Sequence, residues 1–310
     1  MILNQTNFVN FLFSFEGFVI VSIFIFLIGL SIGSFLNVVI YRLPNSLSVV
    51  FPPSACPSCG KKIKFYDNIP VLSYIILKGK CRYCGSKISI IYPSIEILTG
   101  LLLYALFLKF FYKSFFYYSI NAYDVNYFKQ YISFILNRWI ISVFFVFIII
   151  PIAFIDLFHR IIPDSLNILL IISGFVLNIF ILHTSFLFPL YGFLAGGIFF
   201  FSIAFFYEFI KKREGLGGGD IKLIAGIGAF LGLKGVIFTI FIGSVFALLG
   251  FLAVSIILKF KKDIADKESS YKSISNFKIP FGPFLSLAAV FFIFYGNELF
   301  KMYLSLLSHH

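Results

Sequence analysis

Apolar runs long enough to cross a bilayer recur along most of this chain, and few folds can accept them. Counting windows of about 20 apolar residues, the length that spans the hydrocarbon core as a helix, places candidate helices near residues 17–41, 94–113, 137–156 and 165–183. Four more follow near 188–210, 221–233, 236–259 and 281–306. Hydrophobic residues make up 60% of the chain and charged residues 12%, against roughly 25% charged in a soluble domain. With a mean hydropathy of +1.00, the expected fold is an all-α polytopic membrane protein of about eight transmembrane helices. The run 221–233 is short, so a tilted, half-buried or re-entrant element is expected there, with a boundary at Lys234-Gly235. The steps Gly29/Gly33, Gly192/Gly196 and Gly228/Gly232 predict close helix contact. A basic n-region and a small-residue cleavage site are both missing near the N-terminus, so no cleavable signal peptide is expected.

Basic residues orient the spans. With the N-terminus outside, the inner segments are 42–93, 156–164, 211–220 and 260–280. Together with the helix-end residues Lys222 and Lys259 they hold 19 of the 25 Lys and Arg, leaving 6 outside. That split follows the positive-inside rule. The net charge of +12 is then topological, with a secondary attraction to anionic lipid. Scattered basic residues without a recognition motif exclude a nucleic-acid partner.

All four cysteines lie in the longest inner loop, as Cys56-Pro57-Ser58-Cys59-Gly60 and Cys81-Arg82-Tyr83-Cys84-Gly85. Two such pairs offer four thiolates in a tetrahedron, each second cysteine being followed by a glycine that permits a tight knuckle. A structural Zn2+ is expected, because four thiolates leave no position for a reacting water. Two disulfides are the alternative; the placement of the loop in a reducing cytoplasm weighs against them. The chain then divides into a first transmembrane helix (1–41), a cytoplasmic zinc-binding domain (42–93) and a transmembrane catalytic domain (94–310). The zinc domain's basic residues form either a solvated face or a contact with lipid headgroups.

With only 13 acidic residues, each carboxylate can be weighed. Asp156 ends the run Ile148–Ile155, and Asp220 closes the turn Gly215-Leu216-Gly217-Gly218-Gly219. A carboxylate at a membrane boundary needs a partner, a proton or a function. Two of them brought together can share a proton, which is the equipment for splitting an amide bond with water. Two spans separate Asp156 from Asp220, so both face one side. Asp164, after Pro163, reads as an N-cap, and Asp220 can be read as one too. Glu96 and Glu208 sit at or inside apolar spans as ion-pair partners or groove-lining groups, while Glu214 lies in a basic loop. His159 has no second histidine at ligand spacing, which argues against a metalloprotease, and no serine lies in a Gly-x-Ser-x-Gly setting.

The chain resembles the bacterial type IV prepilin peptidases, the bifunctional leader peptidase/N-methyltransferases, through six blocks in order. They are Gly33–Pro44, the paired cysteines, Tyr92-Pro93-Ser94-Ile95-Glu96, Ile155-Asp156-Leu157 with Ile162-Pro163-Asp164, Glu214–Leu223, and Ile279-Pro280-Phe281-Gly282-Pro283-Phe284-Leu285. The resemblance implies that Asp156 and Asp220 are the catalytic pair. It also implies that the substrates are prepilins or pseudopilins, cleaved after the glycine that ends a short basic leader. A second implied activity methylates the new N-terminal residue with S-adenosylmethionine, for which no binding residues are assigned. The implied location is a bacterial inner membrane, with the active site facing the cytoplasm. A peptidase-only member of the family, a transporter built on paired carboxylates and a non-catalytic scaffold are the competing readings. Oligomeric state is not legible.

Overall fold

A computed structural model describes residues 14–120, 125–212, 217–264 and 280–308. Its membrane helices are α1 (Phe15–Arg42), α3 (Ile91–Ile120), α4 (Val125–His159), α5 (Asp164–Phe180), α6 (Leu187–Lys211), α7 (Gly218–Ile264) and α8 (Gly282–Ser308). A single-turn α2 (Leu72–Ile76) and a 3-10 turn (Phe65–Asn68) lie in the cysteine loop. Two isolated antiparallel bridges, Ala55 with Lys62 and Lys80 with Lys87, are the β-structure among the described residues. Two compact units part at Pro151/Ile152, inside α4.

In the first unit α1 begins at Ser14, whose hydroxyl accepts the Gly17 N–H (3.1 Å). Glu16 and Arg42 occupy its first and last turns, the ends that the helix dipole favours for each sign. A Cβ on Gly29 would lie 2.7 Å from Gly100 Cα, and one on Gly33 2.6 Å from Glu96 Cα. The expected glycine step thus brings the α1 and α3 backbones into contact. α4 has the most protein-covered apolar window of the spans, at 61% buried. Phe145, Val146, Ile148 and Ile149 are at most 1% exposed, and Trp139 packs edge-on against Phe107 and Phe111.

The second unit is organised around α7. Its N-terminal arm runs in step with α5: Lys222 pairs with Asp164, Gly226 meets Leu170, and Ala229 meets Gly174. α6 runs the other way, Gly192 against Gly228 and Gly196 against Ile224. At Gly192 and Gly228 the backbones touch so closely that neither position has room for a side chain.

At Gly232 the helix breaks, with φ +69° and ψ −175°. Val236 Cγ2 sits 2.8 Å from where a Gly228 Cβ would be, although eight residues of straight helix span about 12 Å. The chain therefore folds back, and the arm beyond the break packs on α8 through Phe238, Gly243 and Gly250. The 14 residues before the break reach only about 21 Å, short of a bilayer core. This is the half-depth element that the short run 221–233 suggested. Its boundary is Gly232, not Lys234-Gly235, because the positive φ needs glycine and Phe188 occupies the space of any Cβ (2.5 Å).

Six of the described helices are long and apolar enough to cross a membrane, against an expectation of about eight. One difference is α5, which has only 17 residues. The other is that runs 221–233 and 236–259 are carried by one broken helix.

Breaking a helix in lipid frees carbonyls that no water can satisfy. Asn178, 1% exposed, donates from Nδ2 to Ala229 O (3.1 Å) and Phe230 O (3.2 Å) as well as to Gly174 O (2.8 Å). Asn178→Ala should destabilise the protein by about 1–3 kcal/mol through those orphaned carbonyls. Gly232→Ala should do the same through a strained φ and the Phe188 clash. A thermal melt of the purified protein in detergent checks both.

Candidate active site

Three helix ends of the second unit meet at Asp156. α4 carries Asp156 in its last turn and stops soon after, where Arg160 takes a left-handed φ of 57° and its N–H donates to Asp156 O (2.9 Å). Ile161-Ile162-Pro163 leads into α5. Gly282 opens α8, and its amide donates to Asp156 Oδ2 (3.0 Å) inside a buried environment. Asp156 itself is 6% exposed. The carboxylate thus lies at a helix N-terminus, where free N–H groups and the dipole favour negative charge. Asp220 sits in the first turn of α7, and the Asp156 charge acts on it.

The structure therefore brings Asp156 and Asp220 within electrostatic reach of each other. Ile162 fixes the spacing: it fills the ground above Gly219 (3.1 Å to a Cβ there) and Gly282 (3.2 Å). A Cβ on Gly282 would also fall 2.5 Å from Asp156 Oδ2. The Pro280-Phe281-Gly282-Pro283 segment was legible only as a block of sequence. That its amide holds a carboxylate 126 residues earlier was not.

Other acidic residues fall elsewhere. α7 starts at Gly218, so Asp220 is a first-turn residue and not the N-cap. Pro163 occupies the cap position of α5, so the Asp164 N-cap reading fails. Asp164 lies in the first turn and accepts from Lys222 Nζ (2.7 Å), an exposed pair of small energetic weight. Glu208 and His159 are exposed. Glu96 belongs to the first unit, 8% exposed, and accepts the Val71 N–H (2.7 Å). Glu214 is outside the described residues.

The cysteines form a second centre. Their Sγ atoms all lie within 4.8 Å of one another. Each pair is closed by the same knuckle: Gly60 N donates to Cys56 O (2.8 Å) and Gly85 N to Cys81 O (3.0 Å), the glycines at φ +69° and +71°. All four thiols are free. Cys56 Sγ and Cys84 Sγ are 3.8 Å apart, close to the edge of a tetrahedron with bonds of about 2.3 Å, the zinc–thiolate length. The Cys59 and Ser58 amides, with the Ser86 hydroxyl, lower the Cys56 thiol to about 6. The Lys61 amide favours the Cys59 thiolate, but desolvation and the neighbouring sulfurs push it up to about 11. Four thiols within 4.8 Å of one another, each pair closed by a glycine knuckle, fit a metal ion.

Family models match the regions that hold both centres. The Bacterial Peptidase A24 N-terminal domain matches residues 27–110, which contain the four cysteines, and the Type IV leader peptidase family matches 142–253, which contain both aspartates. A Prepilin leader peptidase/N-methyltransferase of Xanthomonas campestris is 33% identical over 301 residues, 89% of this chain and 92% of that protein. The chain belongs to the type IV leader peptidase family. A protein of the same name from Myxococcus xanthus is 36% identical over 210 residues, 68% of this chain but only 56% of that protein. One from Pseudomonas aeruginosa is 29% identical over 90% of this chain and 91% of that protein. No solved structure matches with significance. Family membership leaves the transporter reading without support.

Because Gly282 holds Asp156 through its backbone, its side chain can be changed without removing the donor. Gly282→Ala should displace the carboxylate by a fraction of an ångström and lower turnover by about 100-fold, with the melting temperature little changed. Adding Ile162→Ala makes room against Ile162 but not against Asp156 Oδ2, so the double variant should stay slow in a cleavage assay.

Proposed function

We propose that this membrane protein removes the leader peptide from type IV prepilins or pseudopilins with Asp156 and Asp220, and then methylates the new N-terminal residue with S-adenosylmethionine. The observation that carries the assignment is the meeting of the α4, α7 and α8 ends around a buried Asp156, with Asp220 in electrostatic reach. Relatives named for both activities support the pairing of peptidase and methyltransferase.

The two carboxyls hold one proton between them, as closely placed acids do. The ionised one takes a proton from water as the water oxygen bonds to the carbonyl carbon of the leader's last glycine. The protonated one delivers its proton to the departing amine as the C–N bond breaks. Gly282 N–H keeps Asp156 aimed throughout, and Ile162 packs between Gly282 and Gly219, the residue before Asp220. The site faces the cytoplasm and the N-terminus lies outside, a reading supported by the basic residues on the proposed inner side. S-adenosylmethionine supplies the methyl group; no residues are assigned to it.

Incubating purified protein in detergent with a prepilin should produce a mass loss equal to the leader. With S-adenosylmethionine present, the mature chain should gain the mass of one methylene group. Asp156→Asn or Asp220→Asn should lower cleavage by about 100-fold or more while sparing methylation of an already cleaved pilin. Retained cleavage in either variant would sink the dyad.

The metal at Cys56, Cys59, Cys81 and Cys84 is proposed to be zinc in a purely structural role, holding residues 42–93 as a small separate domain. For so short a segment, binding free energy is largely folding free energy. Elemental analysis should find about one zinc per chain, as a four-thiolate site requires. Cys56→Ser or Cys81→Ser should open the loop to proteases, with a smaller loss of cleavage than either aspartate change.

A further inference from the structure

The loop between α1 and α3 has an apolar face that nothing among the described residues covers. Ile69, Leu72, Ile75 and Ile76 are 44%, 50%, 63% and 63% exposed. Leu72, Ile75 and Ile76 follow the i, i+3, i+4 spacing that lines one side of a helix within α2, and Ile69 lies just before it. Four large aliphatic side chains exposed within eight residues are unusual for a loop that meets water.

Where this turn sits follows from one part-buried hydrogen bond. Val71 N–H, immediately before α2, donates to Glu96 Oε2 (2.7 Å). Glu96 is 8% exposed and lies inside the apolar span Ile91–Tyr112. Its Cα faces Gly33 of α1, 2.6 Å from where a Cβ would be. Gly33 is nine residues before Arg42, the charged end of α1, or about 13 Å along the axis. A glutamate side chain recovers only part of that distance. The start of α2 is therefore level with the last turns of α1, not beyond them. Val71 holds a left-handed φ of 61° there, a conformation that β-branched residues avoid. The Glu96 bond offsets the strain of a chain turned back toward the membrane.

Charge points the same way. Between residues 43 and 90 the basic side chains are Lys61, Lys62, Lys64, Lys78, Lys80, Arg82 and Lys87, and the acidic side chain is Asp67. Arg82 binds Asp67 through both carboxylate oxygens (2.6–3.0 Å) and holds its carboxyl below the usual range. The six lysines left over are all exposed, with Lys64 and Lys78 on either side of the apolar turn.

We propose that residues 69–76 form a foot that inserts shallowly into the bilayer interface beside α1 and α3, while Lys64, Lys78 and Lys80 bind anionic lipid headgroups. Apolar burial plus attraction to anionic lipid is the pairing that anchors interfacial helices. The cysteine domain would then be seated on the membrane by its own side chains, independently of what its metal does.

The chain has one tryptophan, Trp139, which makes a reporter simple to place. Full-length Trp139→Phe/Ile75→Trp protein would be reconstituted in nanodiscs of phosphatidylethanolamine and phosphatidylglycerol. Lipids brominated near the ester end of their chains should quench its emission at least about twofold, as an interfacial depth of a few ångströms requires, and aqueous acrylamide should quench it weakly. Full acrylamide quenching with no bromolipid effect would overturn the proposal and leave the face for a protein partner. Ile76→Trp is the second reporter if the first fails to fold. In discs containing phosphatidylglycerol, changing Lys64, Lys78 and Lys80 to Gln should speed chymotrypsin cleavage of the loop by about tenfold. Equal speeding in phosphatidylcholine discs, or none in either, would refute the headgroup contact.

Discussion

The hydrogen bond from the Gly282 amide to Asp156 joins the end of one membrane helix to the start of another, 126 residues on. A carboxylate at 6% exposure cannot stay near lipid without a donor or a proton. The first turn of α8 supplies the donor, because helix N-termini have N–H groups with no partner of their own. This bond places α8, and Ile162 then sets how near the first turn of α7 can come. The geometry of the acids is thus a consequence of helix ends, each of which had a polar group left to satisfy.

The same constraint shapes the rest of the second unit. α7 breaks at Gly232 in a region where water cannot rescue free carbonyls, and Asn178 takes two of them. Glycines at 192, 196 and 228 let α6 and α7 touch backbone to backbone, where dispersion replaces the hydrophobic drive that lipid removes. The in-step register of α5 against the first arm of α7 puts Asp164 beside Lys222. That register carries the beginnings of both helices to one side, and with them Asp220 to the side where α4 ends.

The first unit solves a different problem. Its loop is too short to build a core and uses four sulfurs instead, arranged by two identical knuckles. Glu96 ties the loop to α3, and Arg82 neutralises the one acid in it. Six lysines and the apolar turn are among the residues left outward, the pairing that suits a surface lying against a membrane.

Much of this was legible in the chain itself. Apolar run length reports helices in lipid because a spanning segment must close its own hydrogen bonds, and the metal knuckles were readable because four thiolates and two glycines at fixed spacing serve little else. Two apolar runs between Asp156 and Asp220 made their encounter possible, and α5 and α6, running opposite ways against α7, carry them. Tertiary structure decided what periodicity cannot encode. The break fell at Gly232 because Phe188 and the left-handed backbone leave room only for glycine, whereas neighbouring Gly235 stays helical. Asp164 went to Lys222 because Pro163 took the cap. Gly282 acquired its role through a backbone amide, which has no side-chain signature in any sequence. A chain specifies by itself which segments must leave water; which polar groups meet once they have left depends on how the helix ends converge.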